Sequence, residues 1–401
     1  MNYKSTGGEL LKIAFVCNEV KPVPSVEGGA VETLVDLLIA NNEKDKKVHI
    51  DVYSKYNEKA KLKSKSISNT NFYFVKSNSK VDKIYNIFNM FFRKLKIKKY
   101  FSSHLFNLVE ILSKNEYDWI IVENRPLYIK EIVKNSKRAK IALHLHNDTV
   151  SRENYYSKYV IQKYDKILCV SNYIYNRVVE VNEKNKDKAV VLENRIDVNK
   201  FQKNEDNIYY LRKKYNISSN ETILLYHGRV IEEKGVLELV AAFKKALTEN
   251  SLLRLCILGN VTQDSYGEKI NNIIQQLPGD KVIMMGYVEY EELPKYLQGA
   301  DIIVLPSLWH EPFGLTIVES MAMSKPVIST AVGAIPEILS NNCGILIKKD
   351  NEIIDNLALE ILALVKSREK QQLLSENARR KVVDLYNAEK YLEDLINKLD
   401  K

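Results

Sequence analysis

Several features that mark particular classes of protein are scarce or missing in this 401-residue sequence. No apolar run approaches the roughly 18 residues of a membrane-spanning helix, and residues 1–11 lack the apolar segment and cleavage site of a secretion signal. The 14 glycines and 9 prolines are few, whereas 45% of the residues are hydrophobic and 28% are charged. This composition excludes a collagenous or disordered chain, and we expect a globular, cytoplasmic protein.

Cysteine is equally sparse. The chain has four cysteines, which lie far apart at Cys17, Cys169, Cys256 and Cys343. Because they form no Cys-x-x-Cys pair, neither a disulfide framework nor a chelated zinc ion is expected, and buried reduced thiols are the simpler interpretation. The sequence predicts no metal site and no cofactor.

Positive charge is concentrated in the first half of the chain. Residues 1–200 hold 36 of the 60 Lys and Arg residues but 23 of the 51 Asp and Glu residues. This asymmetry indicates two functional halves and an anionic partner for the first. Nucleic acid, anionic lipid and a phosphorylated substrate all fit the charge, but the sequence has no nucleic-acid-binding module.

Short runs rich in Ile and Val alternate with amphipathic stretches along the chain. Continuously apolar short runs of this kind are typical of parallel strands that are buried on both faces. Thirteen candidate strands are too many for one open sheet, so we predict an α/β fold of two Rossmann-like, doubly wound domains that face a central cleft. The predicted domains are 1–199 and 200–401, and the last helix can pack back on the first domain.

The first loop combines two glycines with the start of a helix. Gly28 and Gly29 precede an amphipathic helix, whose N-terminal amides and positive dipole suit a phosphate group. The spacing is not that of a nicotinamide dinucleotide motif. We therefore expect a phosphate-binding loop here, with an ordinary flexible loop as the alternative.

Two cations follow the first strand of the second domain. Arg229 and Lys234 lie in the segment His227-Gly-Arg-Val-Ile-Glu-Glu-Lys-Gly235, which leads from that strand into a helix. Two cations beside a helix N-terminus can clamp a diphosphate. Solvated surface side chains are the other interpretation.

The third motif is Glu311-Pro-Phe-Gly-Leu-Thr-Ile-Val-Glu319, which follows a predicted strand. Pro312 and Gly314 fit a helix start, so the amides of Phe313, Gly314 and Leu315 would be first-turn donors for phosphate or sugar oxygens. Glu311 in the loop and Glu319 in the helix are acceptors at two depths, which suits the hydroxyls of a ribose and a hexose. The alternative is an acid at the helix N-terminus that the helix dipole favours, with the other carboxylate exposed to solvent.

Taken together, these motifs closely resemble the family 4 glycosyltransferases. The resemblance rests on the Glu-x7-Glu spacing after Gly-Arg-x4-Lys-Gly and covers nearly the whole chain. It implies a retaining, metal-independent enzyme of the GT-B fold. Residues 22–30, with His144-Leu-His-Asn-Asp148, look most like members found with bacterial surface-polysaccharide and spore-coat genes.

The resemblance also implies roles for individual residues. Glu319 would accept hydrogen bonds from the nucleotide ribose, Glu311 would contact the donor sugar, and Arg229 and Lys234 would neutralise the leaving diphosphate. The backbone near Tyr287 and Val288 would contact the base. Two positions depart from the family pattern, because Arg195 stands where glycine is usual and residues 332–334 keep only Gly333 of two glycines.

Two histidines follow a strand of the first domain. His144 and His146 have the same parity, so they face the same side if the strand extends that far. The resemblance implies a histidine near the anomeric carbon of the sugar. We assign His146 to that role, with a structural histidine as the alternative, and His144 to a structural role.

The expected reaction moves a hexose from a nucleotide diphosphate sugar, taken as a UDP-sugar, to a hydroxyl of a glycan, a lipid-linked molecule or a surface polymer. The resemblance implies front-face attack, and double displacement through an unidentified carboxylate is the alternative. A sugar-nucleotide epimerase and a catalytically inactive component of a coat or capsule complex are the competing functions.

Residues 80–106 mix bulky apolar residues with six basic residues between Lys83 and Lys99 and one acid, Asp82. This pattern is typical of an interfacial helix on anionic lipid. We predict peripheral contact with the inner face of the cell membrane, and a helix packed on the sheet with solvated lysines is the alternative.

Overall fold

The computed structural model describes residues 10–136 and 138–400, with the backbone alone at 185. The described chain divides into two compact units. The first unit runs to Arg195 and resumes at Ala388, and the second comprises Ile196–Asn387. The first unit is therefore made from two separate stretches of the chain.

A seven-stranded parallel sheet forms the centre of the first unit, in the order β3-β2-β1-β4-β5-β6-β7. Its strands are β1 Lys12–Val16, β2 His49–Lys55, β3 Thr70–Val75, β4 Trp119–Glu123, β5 Lys140–Leu145, β6 Lys166–Cys169 and β7 Ala189–Val191.

The second unit has a six-stranded parallel sheet in the order β10-β9-β8-β11-β12-β13. Its strands are β8 Thr222–His227, β9 Leu253–Leu258, β10 Val282–Gly286, β11 Ile302–Leu305, β12 Val327–Thr330 and β13 Ile345–Ile347.

Helices connect the strands as βα units. They are α1 Ala30–Asp45, α2 Glu58–Ser64, α3 Ser79–Lys94, α4 Ser103–Leu112, α5 Ile129–Asn135, α6 Ser157–Lys163, α7 Asn172–Val179, α8 Tyr210–Tyr215, α9 Val236–Glu249, α10 Ser265–Ile274, α11 Leu293–Gly299, α12 Leu315–Ala322, α13 Ile335–Ile338, α14 Ile353–Lys366, α15 Arg368–Leu385 and α16 Tyr391–Asp400. Helix α16 belongs to the first unit.

Both sheets lie in the core of their own unit. Every residue of β4, β9 and β11 is buried, as expected for parallel strands covered on both faces. The predicted α/β fold with two doubly wound sheets is confirmed, and the thirteen apolar runs all become strands.

The strand order of each sheet reverses at one point, between β1 and β4 in the first unit and between β8 and β11 in the second. Open parallel sheets bind ligands outside the carboxyl ends of the strands at such a point. The loops after these four strands are therefore where a site is expected, and they carry most of the motifs found in the sequence.

The basic segment 80–106 does not form one helix. Helix α3 ends at Lys94, Lys96 adopts a left-handed conformation with φ 55°, and α4 begins at Ser103. The rings of Tyr85 and Phe92 pack against Phe101 with centroids 5.7 and 5.2 Å apart, so the chain folds back on itself after the helix. None of the 16 residues of α3, all of them described, is buried.

No helix in the described part of the chain combines the length and the apolar character needed to cross a membrane.

Candidate active site

A cavity of about 220 Å³ opens at the carboxyl ends of β8 and β11, where the strand order of the second unit reverses. This volume holds a phosphate- or sugar-sized group rather than a single water molecule. Its walls are formed by Tyr226, His227, Gly228, Arg229, Lys234, Leu305, Ser307, Glu311, Gly314, Thr316, Ile317 and Ile335. Of the predicted site residues, Arg229, Lys234, Glu311 and Gly314 therefore come together at one place.

Arg229 is presented by a tight turn after β8. Gly228 has φ 141°, a backbone conformation that residues with a side chain rarely adopt. The Tyr226 hydroxyl donates to the Arg229 carbonyl at 2.6 Å. The Arg229 side chain is exposed and has no ion-pair partner among residues 10–136 and 138–400. An uncompensated guanidinium at the wall of a cavity attracts an anion.

Lys234 and Glu311 meet across the cavity wall. Lys234 Nζ donates to Glu311 Oε1, and the same oxygen accepts from Ser307 Oγ at 2.7 Å. The two charged side chains are 24% and 14% exposed, so both are largely withdrawn from water. The predicted diphosphate cation and the predicted sugar-binding carboxylate are thus paired with each other.

The loop of Glu311 is fixed by the turn at Gly333. A Cβ at Gly333 would lie 2.3 Å from the Glu311 carbonyl oxygen and 2.5 Å from its nitrogen, and the Ala334 amide donates to that carbonyl at 2.8 Å. Only glycine allows this approach. The departure of residues 332–334 from the family pattern leaves this contact intact.

Helix α12 begins at the cavity. Its N-cap Gly314 has φ 116° and no side-chain cap, and its carbonyl accepts from the amides of Ile317 and Val318. The amides of Leu315 and Thr316 are therefore the ones that such a helix start offers to a ligand. Gly314 and Thr316 line the cavity, whereas Phe313 is buried and packs on Tyr386 with ring centroids 5.5 Å apart. Phe313 and Leu315 do not belong to the lining.

Glu319 lies one turn deeper in α12 and outside this cavity lining. It is 7% exposed, and burial raises its pKa to about 8, although Tyr290 and Lys200 act in the opposite direction. At neutral pH the carboxyl is therefore mostly protonated. Tyr290 in turn contacts Phe201, with ring centroids 5.6 Å apart, and lies under Lys200 Nζ at 3.9 Å.

The predicted base-binding backbone follows β10. Gly286 has φ 71° and Tyr287, directly after it, is 64% exposed. Tyr287 donates a hydrogen bond to Glu289 Oε2 at 3.2 Å. Tyr287 and Val288 are not part of the cavity lining.

In the first unit, the predicted phosphate loop contains a carboxylate that the sequence analysis did not consider. Gly28 and Gly29 have φ 64° and 123°, and α1 starts directly after them. Glu32 is buried, and its Oε2 would lie 2.2 Å from a Cβ at Gly29. The carboxylate already occupies the positive end of the helix, so it competes with a phosphate for that position.

Three ionisable side chains converge at the ends of β4 and β5. Glu123 accepts from His144 Nδ1 at 3.1 Å and from His146 Nε2 at 2.8 Å. Burial raises the pKa of Glu123, but His144 and His146 outweigh it and bring the pKa to about 2. Burial and the nearby His144 lower the pKa of His146 to about 4. At neutral pH Glu123 is therefore ionised and His146 is neutral.

The same three residues are the candidate metal ligands in the described chain, because each offers a ligand atom within 4.8 Å of the others. Metal-bound imidazoles almost always donate their second ring N–H to a neighbour. Here His144 Nε2 and His146 Nδ1 are buried without a hydrogen-bond partner among the described residues. The arrangement therefore fits a hydrogen-bonded triad better than a metal centre.

Besides Glu32, sequence reasoning missed Ser307, Thr316 and Glu123. Ser307 stands in the same loop as Glu311, and Thr316 lies inside the third motif, so position alone could have identified both. Glu123 ends a strand that pairs with the strand of His144, and this signal requires the strand order.

Comparison with known proteins shows that the chain is similar to glycosyltransferases and to a spore coat protein. Residues 207–381 match the family described as Glycosyl transferases group 1. The chain is 23% identical over 410 residues to spore coat protein SA of Bacillus subtilis, a match that covers 98% of this chain and 100% of the relative. It is 25% identical over 312 residues to the lipopolysaccharide 1,2-N-acetylglucosaminetransferase of Salmonella typhimurium, with coverages of 75% and 78%.

The fold also matches a solved structure. The crystal structure of HepE from Anabaena in complex with UDP and glucose has a TM-score of 0.75 to this chain at 17% identity, and the match covers 97% of this chain and 99% of HepE. At this identity the likeness concerns the fold, which is GT-B.

Proposed function

We propose that this chain, a glycosyltransferase of the GT-B fold, transfers a hexose from a UDP-sugar to a hydroxyl group with retention of the anomeric configuration. The observation that carries the proposal is the position of Arg229 and Lys234 beside the N-terminus of α12, around a cavity at the strand-order reversal. UDP as the nucleotide is supported by HepE, which was crystallised with UDP and glucose.

The chemistry follows from the charge that develops during transfer. The bond between the anomeric carbon and the diphosphate oxygen breaks, so negative charge grows on the diphosphate and positive charge on the sugar. Arg229, Lys234 and the amides of α12 face the first of these charges. Preorganised donors of this kind stabilise a leaving group without reorganisation, which is the largest single effect in many enzymes.

Glu311 has two tasks in this scheme. Before the donor arrives, Glu311 neutralises Lys234. When the diphosphate binds, Lys234 can turn its charge toward the phosphate oxygens, and the carboxylate becomes free to accept hydrogen bonds from hydroxyls of the sugar. Ser307 holds the carboxylate in place during this exchange.

The acceptor hydroxyl would attack the anomeric carbon from the face that the diphosphate leaves. The new bond joins the acceptor oxygen to that carbon, and the acceptor proton passes to an oxygen of the departing diphosphate. This front-face route needs no enzyme nucleophile. Glu319 would meanwhile hold the ribose hydroxyls with its carboxylate.

Contact with an anionic membrane surface is part of the proposal. The apolar residues Ile84, Ile87, Phe88 and Phe91 recur at helical spacing along α3, and Leu95 at its C-cap continues the spacing. Ile87 is 68% exposed and Phe91 is 56% exposed. Lys94, Lys96, Lys98 and Lys99 follow at the end of the helix, so the apolar face has cations beside it, as on helices that lie on anionic lipid. The reaction would then take place at the inner face of the cell membrane, on a glycan, lipid-linked or surface-polymer acceptor.

The test is turnover of a donor panel by the purified protein. UDP-glucose, UDP-galactose and their N-acetyl counterparts are incubated with and without acceptor sugars, UDP release is measured, and the anomeric configuration of the product is read by NMR. We expect UDP release with one of the donors and an α-configured product. An inverted product would exclude retention, and recovery of an epimerised UDP-sugar would indicate an epimerase.

A non-catalytic coat component is the second candidate, because the full-length relative is spore coat protein SA. The cavity lined by Arg229, Lys234 and Glu311 favours a catalytic function. UDP binding without turnover of any donor, together with retention of the protein in an isolated coat or capsule fraction, would favour the second candidate.

A further inference from the structure

The carboxyl ends of β4 and β5 carry a polar cluster on one face of the first sheet. Glu123 lies directly opposite His144 in the parallel register, so both side chains point to the same side. His146 lies two residues beyond His144 and returns to that side, and the two imidazole centroids are 4.1 Å apart. Glu123 therefore contacts both imidazoles at once.

The backbone around the cluster is also held in place. The Asn124 side chain accepts from the His146 amide at 3.3 Å, and the Asn124 amide donates to the His144 carbonyl at 2.9 Å. Asn124 has φ 55°, a conformation that asparagine tolerates better than most residues. The ends of the two strands are thus tied together by hydrogen bonds on either side of Glu123.

An ionised carboxylate can only accept hydrogen bonds. Glu123 therefore requires a proton on each ring nitrogen that faces it, which is Nδ1 of His144 and Nε2 of His146. A neutral imidazole carries one proton, so Nδ1 of His146 is left as a bare acceptor. That atom is buried and has no partner among the described residues.

A buried acceptor without a partner is unfavourable by roughly 1–3 kcal/mol, and such an atom in a native structure calls for a missing donor. A sugar hydroxyl is a donor of this kind. Among the three side chains, His146 is 6% exposed against 1% for His144 and 0% for Glu123, so His146 is the member that a ligand would reach.

We propose that Glu123 is a positioning residue of the transfer reaction, which fixes His146 as the tautomer whose Nδ1 accepts a hydroxyl of the donor sugar. The inference rests on the proposed function, because the hydroxyl belongs to the sugar that is transferred. Glu123 itself touches no reacting atom and acts through His146.

A double-mutant cycle tests whether Glu123 acts through His146. We expect Glu123→Gln and His146→Ala each to lower kcat by roughly 10- to 100-fold, while the Kd for UDP stays within about twofold of wild type. Because both changes remove the same interaction, the double variant should lose no more than His146→Ala alone. Glu123→Asp, which keeps the charge, should recover part of the rate.

The tautomer of His146 provides a second measurement, which would not change if Glu123 had a purely structural role. Long-range ¹H–¹⁵N spectra of the imidazoles should show the proton of His146 on Nε2 in the wild-type protein and a mixture of tautomers in Glu123→Gln. Asp51→Asn is the matched control, because Asp51 is a buried carboxylate of the same sheet that accepts from Tyr117 Oη at 2.6 Å. It should leave the His146 spectrum unchanged and combine additively with His146→Ala.

The following results would overturn the proposal. Additive losses in Glu123→Gln and His146→Ala, or an unchanged His146 tautomer, would mean that Glu123 only supports the fold. A stoichiometric metal ion in the purified protein that is lost in Glu123→Gln would mean that the cluster is a metal centre. If Arg229→Ala abolishes turnover while Glu123→Gln and His146→Ala do not reduce it, the positioning role fails and the proposed function stands. If none of the four UDP-hexoses is turned over, both fail together.

Discussion

Lys234 and Glu311 are 77 positions apart in the sequence, yet their side chains form an ion pair at the carboxyl ends of β8 and β11. A buried charge is expensive unless it has a partner. Each side chain is therefore the counter-charge of the other, which lowers the cost of keeping both charges largely away from water. Under the proposed function, binding of a diphosphate would exchange one counter-charge for another.

Removal of either cation should slow the reaction. Arg229→Ala and Lys234→Ala take away charge directed at the leaving diphosphate, and the loss of one such donor typically costs on the order of 10²–10³ in kcat. We expect a loss of at least tenfold in each variant, measured as UDP release. Lys295→Ala is the control, because Lys295 pairs with Glu292 on the surface of α11. Normal turnover in both Arg229→Ala and Lys234→Ala would contradict a role of these cations in stabilising the leaving diphosphate.

The ion pair predicts opposite effects of Glu311→Gln on binding and on transfer. Without the carboxylate, Lys234 has no counter-charge, so the affinity for UDP should rise severalfold. The rate of sugar transfer should fall at least tenfold, because the sugar loses its acceptor. Calorimetry with UDP and the turnover assay measure the two effects, and a parallel loss of both would contradict the exchange of partners.

Nucleotide binding should depend on pH through Glu319. Burial holds the pKa of this carboxyl at about 8, so at pH 7 it must lose a proton before it can accept two ribose hydroxyls as a carboxylate. The affinity for UDP should rise by roughly tenfold per pH unit below the pKa and level off above it. Calorimetry at pH 7.5 in buffers of different ionisation enthalpy should detect the released proton.

Glu319→Gln is the control for this experiment. The variant should bind UDP more weakly, with neither the pH dependence nor the proton release. A pH profile shared by both proteins would assign the titration to another group.

The raised pKa of Glu319 also predicts that the wild type loses stability relative to Glu319→Gln between about pH 4.5 and pH 8, because the folded state retains a proton that the unfolded chain has released.

Chelation should leave the reaction unchanged. In the proposed mechanism, Arg229, Lys234 and the amides of α12 supply the positive charge that a divalent ion supplies in other transferases. We expect full turnover in excess EDTA and no stimulation by Mg²⁺ or Mn²⁺. Strict dependence on either ion would require a metal at the diphosphate and would overturn the proposed clamp.

Helix α3 should bind vesicles that carry anionic lipid. Four changes to Gln at Lys94, Lys96, Lys98 and Lys99 should weaken sedimentation with anionic vesicles at least tenfold, because each lysine contributes roughly 1 kcal/mol at such a surface. Lys59, Lys61, Lys63 and Lys65 on and after α2 provide a matched control with the same change of charge. Binding should weaken as salt rises and should be absent with neutral lipid. Equal losses of vesicle binding in the two quadruple variants would mean that binding depends on the net charge and not on the position of the lysines.

Most of the fold could be predicted because the inner strands of both sheets are buried on both faces. Runs such as Leu253–Leu258 are apolar throughout, and their length and spacing identify parallel strands. The break at Leu95 was not predicted, because residues 80–106 read as one amphipathic segment. The chain turns there so that Phe101 can pack on Tyr85 and Phe92, which is a tertiary contact.

The site was predictable to the extent that its residues share a loop. Arg229 with Lys234, and Glu311 with Gly314, lie close together in the sequence, and the roles assigned to them are predictions from a resemblance. The pair Lys234–Glu311 and the cluster around Glu123 depend on which strands are neighbours, and no local pattern contains that information. Glu32 was overlooked because a glutamate in the first turn of a helix is unremarkable until its burial is known.

The return of the chain to the first unit has a consequence for its synthesis. Helix α16 buries Tyr391, Leu392, Leu395, Ile396 and Leu399, and Asp394 pairs with Arg195 at 2.9 Å. The ribosome makes these residues only after the whole second unit, whose residues are contiguous. The second unit can therefore fold first, although it comes later in the chain, while the first unit waits with an open apolar face.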